Sequence, residues 1–213
     1  TPDRGLPPPT RSNASVTDPS PRAAAAMHEA GWEFIGHGLH QKSINHAGSE
    51  AELIDATLSK IEGFTGTRPR GWLSPGLRET VDTPELLKAA GVDYVCDWVI
   101  DDLPDWLTTT KGPLLGLPYN LEVNDSIIYA IEKHSSPEML LRLQNTLALF
   151  ERESTHRPRV LALGLHPHLI GVPHRFGYLE QMLDLLQRTP GVGFFTGSEI
   201  ADWYAEQSPA DKD

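Results

Sequence analysis

The chain of 213 residues holds one cysteine, Cys96. A single thiol excludes an internal disulfide framework and a multi-cysteine metal site, and it fits a reducing compartment, so the expected location is cytoplasmic. Cys96 lies in the strand-like run Tyr94-Val-Cys-Asp-Trp-Val, where a buried, inert thiol is expected rather than a nucleophile. Cations are scarce as well: 18 Lys and Arg face 29 Asp and Glu, a net charge of −11. That balance argues against nucleic acid as a partner, because phosphate binding needs clustered Lys and Arg. No apolar run approaches the roughly 18 residues of a membrane span, so no membrane partner is expected. Neither an internal repeat nor a low-complexity tract interrupts the chain after its start.

Proline is plentiful at 18 residues, and Pro2, Pro7, Pro8, Pro9, Pro19 and Pro21 crowd the beginning. Residues 1–12 are therefore expected to be irregular, residues 13–207 to form one domain, and residues 208–213 to be a tail. Hydrophobic residues make up 39% of the chain, enough at this length for a substantial core. Apolar spacing predicts helices over Ser20–Ala30, Gly48–Phe64, Thr83–Gly91, Pro137–Glu153, Arg175–Arg188 and Ser198–Glu206. Short apolar runs predict strands at Ala14–Thr17, Glu33–Gly36, Gly71–Leu73, Tyr94–Ile100, Leu114–Leu117, Arg159–Leu165 and Val192–Phe195. This alternation predicts a parallel α/β fold, and about seven strands suggest closure into a barrel.

With that register the loops leaving the strands carry the chemistry. Leu165-His166-Pro-His168-Leu-Ile-Gly-Val-Pro-His174-Arg175 follows one strand, with three histidines and an arginine in a single loop. Imidazole is the side chain best suited to move protons near neutral pH. Other strand exits carry His37 and His40, Ser74, Asp101 and Asp102, and Tyr119 with Asn124 and Asp125. In a barrel these exits share one rim, where catalytic groups collect. His37 stands four residues before Gln41, whose neutral amide is a poor zinc ligand, so no two-histidine zinc pair at that spacing is expected. Adjacent Asp101 and Asp102 can do acid–base work only if both face the reacting group. Trp98, Tyr119, Asn124, Asp125 and His168 are candidates for substrate contact, with Tyr119 or backbone N–H groups stabilising an oxyanion. Trp98, Trp106, Tyr119 and Ile127-Ile-Tyr129 fall in a stretch with little regular structure, which suggests a contact surface and a homo-oligomer.

Three segments, in order, resemble motifs of the polysaccharide deacetylase (NodB-homology) superfamily. Gly31-Trp-Glu-Phe-Ile-Gly-His37-Gly resembles its second motif, Arg68-Pro-Arg-Gly-Trp-Leu-Ser-Pro its third, and Leu165-His166 its fifth. The resemblance covers about residues 13–207. Asp101-Asp-Leu-Pro104 with Trp106, and Pro118-Tyr-Asn-Leu-Glu-Val-Asn-Asp125, are similar to the branch containing an allantoinase and cyclic-imide hydrolases. The resemblance implies a distorted (β/α)7-type barrel that hydrolyses non-peptide carbon–nitrogen bonds. In metal-dependent members one Asp and two His hold a divalent metal such as zinc, a second Asp is the base, and the fifth-motif His is the acid. His37 then matches the first metal histidine, Gln41 stands where the second would be, His166 matches the acid, and Asp101 and Asp102 are candidate catalytic carboxylates. The paired-aspartate first motif has no counterpart, so the strand that carries it is expected to be missing from the N-terminal side. The implied substrate is a small amide, ureide or cyclic imide; an N-acetyl sugar is the alternative, and a catalytically inactive sugar- or metabolite-binding module is a second.

Overall fold

The computed structural model describes residues 9–11, 20–40, 48–98 and 100–210. Its elements are, in chain order, β1 (Pro9–Arg11), α1 (Pro21–Glu29), β2 (Glu33–Ile35), α2 (Glu50–Thr65), β3 (Gly71–Trp72), α3 (Thr83–Ala89), β4 (Tyr94–Val95), β5 (Asp105–Leu107), β6 (Leu114–Gly116), α4 (Glu138–Glu153), α5 (Pro167–Ile170), α6 (Pro173–Arg188) and α7 (Gly197–Gln207). A π-helical turn, Ser126–Ile131, precedes α4. The chain divides into two compact units: Thr1–Ile100 with Pro104–Leu117 and Phe194–Asp213, and Asp101–Leu103 with Pro118–Gly193.

The first unit is mixed α/β. β1 pairs in parallel with β2, and a second sheet has the order β3-β4-β6-β5. A parallel bridge from Gly36 to Trp72 joins β2 to β3. The approach is close because Gly36 has no Cβ, and a methyl there would collide with the indole of Trp72. β5 runs antiparallel to β6, a departure from the all-parallel expectation. The described strands show no barrel closure. Ile54, Leu58 and Ile61 line one face of α2 at helical spacing and are fully or almost fully buried. Ile54 and Leu58 pack with Trp72, Leu87, Val92, Val95 and Leu114. α2 begins at Ser49, whose hydroxyl accepts the Glu52 N–H at 3.3 Å, and ends on Gly66 at φ 76°. α7 is tied to the strands by polar bonds. Glu33 accepts from the backbone N–H of Ser198 (3.2 Å), from the Ser198 hydroxyl and from the Tyr94 hydroxyl (3.0 Å). Arg70 forks between Asp93 and Asp202, each at 2.6 Å.

The second unit is mainly helical, built of the π-helical turn, α4, α5 and α6; it also contains a segment expected to be a buried strand, Arg159–Leu165. It is not one. Its residues are mostly half-buried, and its backbone pairs one group at a time. The Val160 N–H donates to the Asp102 carbonyl (2.8 Å), that of Ala162 to the Asn120 amide oxygen (2.8 Å), and Gly164 bridges Asn124. A side-chain amide substitutes for a ladder carbonyl, so apolar composition alone misleads. Val192–Phe195 is likewise not a strand; Val192 closes a turn onto Thr189, and Phe195 is 57% exposed. β1 falls inside the start expected to be irregular, while Ala14–Thr17 lies outside the described residues. The aromatic stretch expected to form a contact surface is largely turned inward. Tyr119, Ile128 and Tyr129 are buried, Trp98 packs on the first unit's core, and Trp106 donates to the Ser208 carbonyl at 2.8 Å.

Candidate active site

His166 sits where the Val160–Gly164 segment ends and α5 begins. The local backbone explains its placement. Asp125 N–H donates to the Gly164 carbonyl (2.9 Å) and Gly164 N–H to the Val123 carbonyl (3.2 Å), a one-bridge parallel pairing. Gly164 is required there, because a Cβ would meet the Asn124 side chain and the Tyr119 hydroxyl. At the next rung the backbone carbonyl is replaced by a carboxylate: the His166 N–H donates to Asp125 Oδ2 at 2.7 Å. The same carboxylate meets the ring, with Nδ1 of His166 2.6 Å from Oδ1. Pro167 then fixes the helical turn, so the chain leaves the extended path immediately after His166.

The electrostatics follow from burial. Asp125 is fully buried, whereas the His166 side chain is 40% exposed. A carboxylate can only accept, so Nδ1 carries a proton and Nε2 is the ring nitrogen that Asp125 does not engage. The two bonds to one buried carboxylate hold the ring in a single orientation. The ring of His168 lies edge-on to that of His166, with centroids 5.9 Å apart, even though α5 breaks the extended geometry. His168 and His174 are exposed.

The other candidates divide sharply. Asp125, expected as a substrate contact, turns its carboxylate onto His166. Tyr119 and Asn124, also expected at the substrate, are buried; the Asn124 amide donates to the Tyr119 hydroxyl at 2.8 Å. Both pack against Gly164 and hold the bridge. Neither Asp101 nor Asp102 hydrogen bonds to His166 or Asp125. The exposed Asp101 carboxylate accepts the N–H of Asp102 at 2.7 Å, an Asx-type turn. Asp102 is half-buried, 3.4 Å from the Asn120 amide, and its carboxyl is pushed up from the ordinary aspartate range, first by burial and then by the charge of Asp101. Of the candidate carboxylates, Asp125 is the one that meets His166.

In the first unit, His37 follows the Gly36 bridge. Its Nδ1 donates to the Leu73 carbonyl at 2.6 Å, so in the neutral ring the lone pair is on Nε2, the tautomer a metal-binding histidine needs. His40 is exposed, and Gln41 lies outside the described residues. Among the described residues no three of His, Cys, Asp and Glu gather as a metal-holding set, so those residues alone do not supply a complete site. Asp97 is a buried carboxylate that the sequence reading passed over. It accepts the backbone N–H of Ser74 at 2.5 Å and the Ser74 hydroxyl at 2.7 Å, while the Ser74 oxygen accepts the Trp72 indole N–H at 3.0 Å. Its signal was an acid set between Cys96 and Trp98 straight after a strand. Cys96 is buried, as expected.

No family model matches the chain. A Schizosaccharomyces pombe protein named "Putative polysaccharide deacetylase" is 28% identical over 219 residues, covering 91% of this chain and 67% of that protein. The crystal structure of a probable polysaccharide deacetylase from Pseudomonas aeruginosa superposes with a TM-score of 0.90 at 26% identity, covering 99% of this chain and 71% of the other. The PuuE allantoinase structure gives a TM-score of 0.86 at 26% identity, covering 95% and 69%.

Proposed function

Because this chain belongs to the polysaccharide deacetylase (NodB-homology) superfamily, we propose that it hydrolyses a non-peptide carbon–nitrogen bond with His166 as general acid. The observation that carries this reading is the His166–Asp125 pair. An amide nitrogen is a very poor leaving group as an anion. When water has added to the carbonyl, the C–N bond breaks only as the nitrogen receives a proton, and the Nε2–H of an imidazolium supplies it. Asp125 holds Nδ1–H throughout, so the ring cannot rotate away or lose the wrong proton. The neutral imidazole left behind regains its proton from solvent, since the ring is partly exposed.

The substrate proposed is a small cyclic ureide or imide. Support comes from the likeness to an allantoinase structure and from the Asp101–Trp106 and Pro118–Asp125 segments that resemble that branch. A second reading, an N-acetyl sugar, is favoured by the names of the S. pombe and P. aeruginosa relatives. The test is turnover of allantoin, hydantoin and succinimide against N,N′-diacetylchitobiose by the full-length protein, reading ring opening against acetate release. Ring opening that His166→Ala abolishes supports the first reading, and acetate release the second. Tight binding of any of these without turnover would leave the chain a binding module.

A further inference from the structure

The pair His166–Asp125 is carried by two separate segments. Asp125 is followed at once by the π-helical turn Ser126–Ile131, and His166 by the short helix α5. Hydrogen bonds between the pair set the ring only if those two segments keep their spacing. The side chain of Arg175 touches both. Arg175, on the first turn of α6, places its guanidinium carbon 4.1 Å from the centroid of the Tyr129 ring, in the π-helical turn. Its Nη1 donates to the Leu169 carbonyl, in α5, at 3.1 Å.

We propose that Arg175 is a positioning residue for the general acid, a brace that locks the Asp125 segment to the His166 turn. The inference rests on the proposed role of His166.

Each contact suits a guanidinium. α5 is four residues long, and the carbonyls of its last residues have no later amide in the helix to accept from; the Leu169 carbonyl is one of these, and a cation there also meets the negative end of the turn. A planar, delocalised cation stacks on a phenol face while keeping in-plane donors for the carbonyl, which a lysine ammonium cannot do at once. Tyr129 is itself held, 6% exposed, with its hydroxyl donating to the Ser136 carbonyl at 2.8 Å. The Nε of Arg175 is buried with no hydrogen-bond partner among the described residues, and no carboxylate there pairs with the guanidinium. The inner edge of the guanidinium is therefore packed against the protein on a half-buried side chain. Each segment also contributes a buried apolar residue, Ile128 in the turn and Ile170 in α5.

The experiment reads the ring directly. In wild-type protein the His166 Nδ1 proton, held on a carboxylate, gives a downfield NMR signal, assigned by its loss in His166→Ala. Arg175→Ala is expected to broaden or remove that signal and to lower kcat by about 10²-fold, the cost of a catalytic group displaced by around 1 Å, with KM changed less than about twofold. Arg175→Lys should recover the signal only in part. Arg188→Ala, on the far end of α6, should leave both readouts unchanged. An Arg175→Ala protein that loses thermal stability but keeps the Nδ1 signal and kcat would overturn the proposal. If Arg175→Ala does not fold, Arg175→Lys is judged by the same two readouts. If wild type turns over none of the substrates named above, the hydrolase reading fails, yet the Nδ1 signal still decides the brace.

Discussion

The carboxylate of Asp125 accepts two hydrogen bonds from one residue: the backbone N–H of His166 at 2.7 Å and its ring Nδ1 at 2.6 Å. The first bond continues a backbone ladder with a side chain. The second fixes which ring nitrogen faces outward. Secondary structure and proton chemistry are thus set by one buried group.

Replacing Asp125 with Asn separates these tasks. An amide has one acceptor and one donor end, so the His166 N–H keeps a partner while the ring Nδ1 faces an N–H and must become an acceptor. The ring then takes the opposite tautomer and the imidazolium loses its counter-charge. Asp125→Asn should lower kcat by about 10²–10⁴-fold with little change in fold, because a wrongly protonated acid is as costly as an absent one. Circular dichroism with steady-state kinetics checks both parts. Asp125→Ala should in addition lose roughly 1–3 kcal/mol of stability by removing the partner of the part-buried His166 N–H.

His166 and His168 are adjacent rings with unequal support. His166 has a buried carboxylate behind it, whereas no hydrogen bond orients the exposed His168 among the described residues. His166→Ala should therefore cost about 10²–10⁴-fold in kcat. His168→Ala should cost less than about tenfold, since an unpositioned imidazole contributes little to proton transfer. Kinetics on the two variants with one substrate decides the matter; the reverse order would move the acid role to His168.

Much of this was legible in residue order and some was not. α2 was readable because Ser49, Gly66 and the apolar repeat through Ile54, Leu58 and Ile61 all agree on one helix. His166 stood out because it lies between an apolar run and a helix, although that run is not a strand. Its partner did not, because the Asp125–His166 contact spans 41 residues and no local spacing encodes it. Asp101 and Asp102 attracted attention as a carboxylate pair, yet adjacency sets neighbours on different tasks: one closes a turn and the other is half-buried beside Asn120. Arg159–Leu165 read as a strand because apolar content reports burial potential, not whether a ladder partner exists. Asp97 was hidden by its setting among apolar neighbours, where its own polarity was the signal.

Gly164→Ala tests how the bridge beneath His166 is packed. The added methyl would overlap the Asn124 amide and the Tyr119 hydroxyl, which hydrogen bond to each other and are both buried. Neither can retreat into solvent, so the segments must separate. A loss of about 1–3 kcal/mol is expected, the usual cost of overpacking, measured as a shift in the urea midpoint. Because the separation also pulls Asp125 from His166, kcat should fall as well. Unchanged stability would mean that Asn124 and Tyr119 can repack.

Asp102 gives the pH-dependent test. Its carboxyl is raised in the folded chain by burial and by Asp101, so the native state holds the proton more tightly than the unfolded state. Below an unfolded aspartate value of about 3.9 both states are protonated and the group's ionisation does not affect stability. As pH rises from there through the higher folded value, the unfolded state ionises first and stability is lost; the penalty is fully present at neutral pH. Asp102→Asn removes the charge while its side-chain oxygen can still accept from Asn120. The variant should melt at a higher temperature than wild type at pH 7, with the gain disappearing as pH falls toward about 3.9. Calorimetry across that range checks the sign. Turnover measured on the same protein separates the two carboxylate assignments: with Asp125 as the partner of His166, Asp102→Asn keeps kcat within about threefold, whereas an acid–base role for Asp102 would cost about 10²-fold or more.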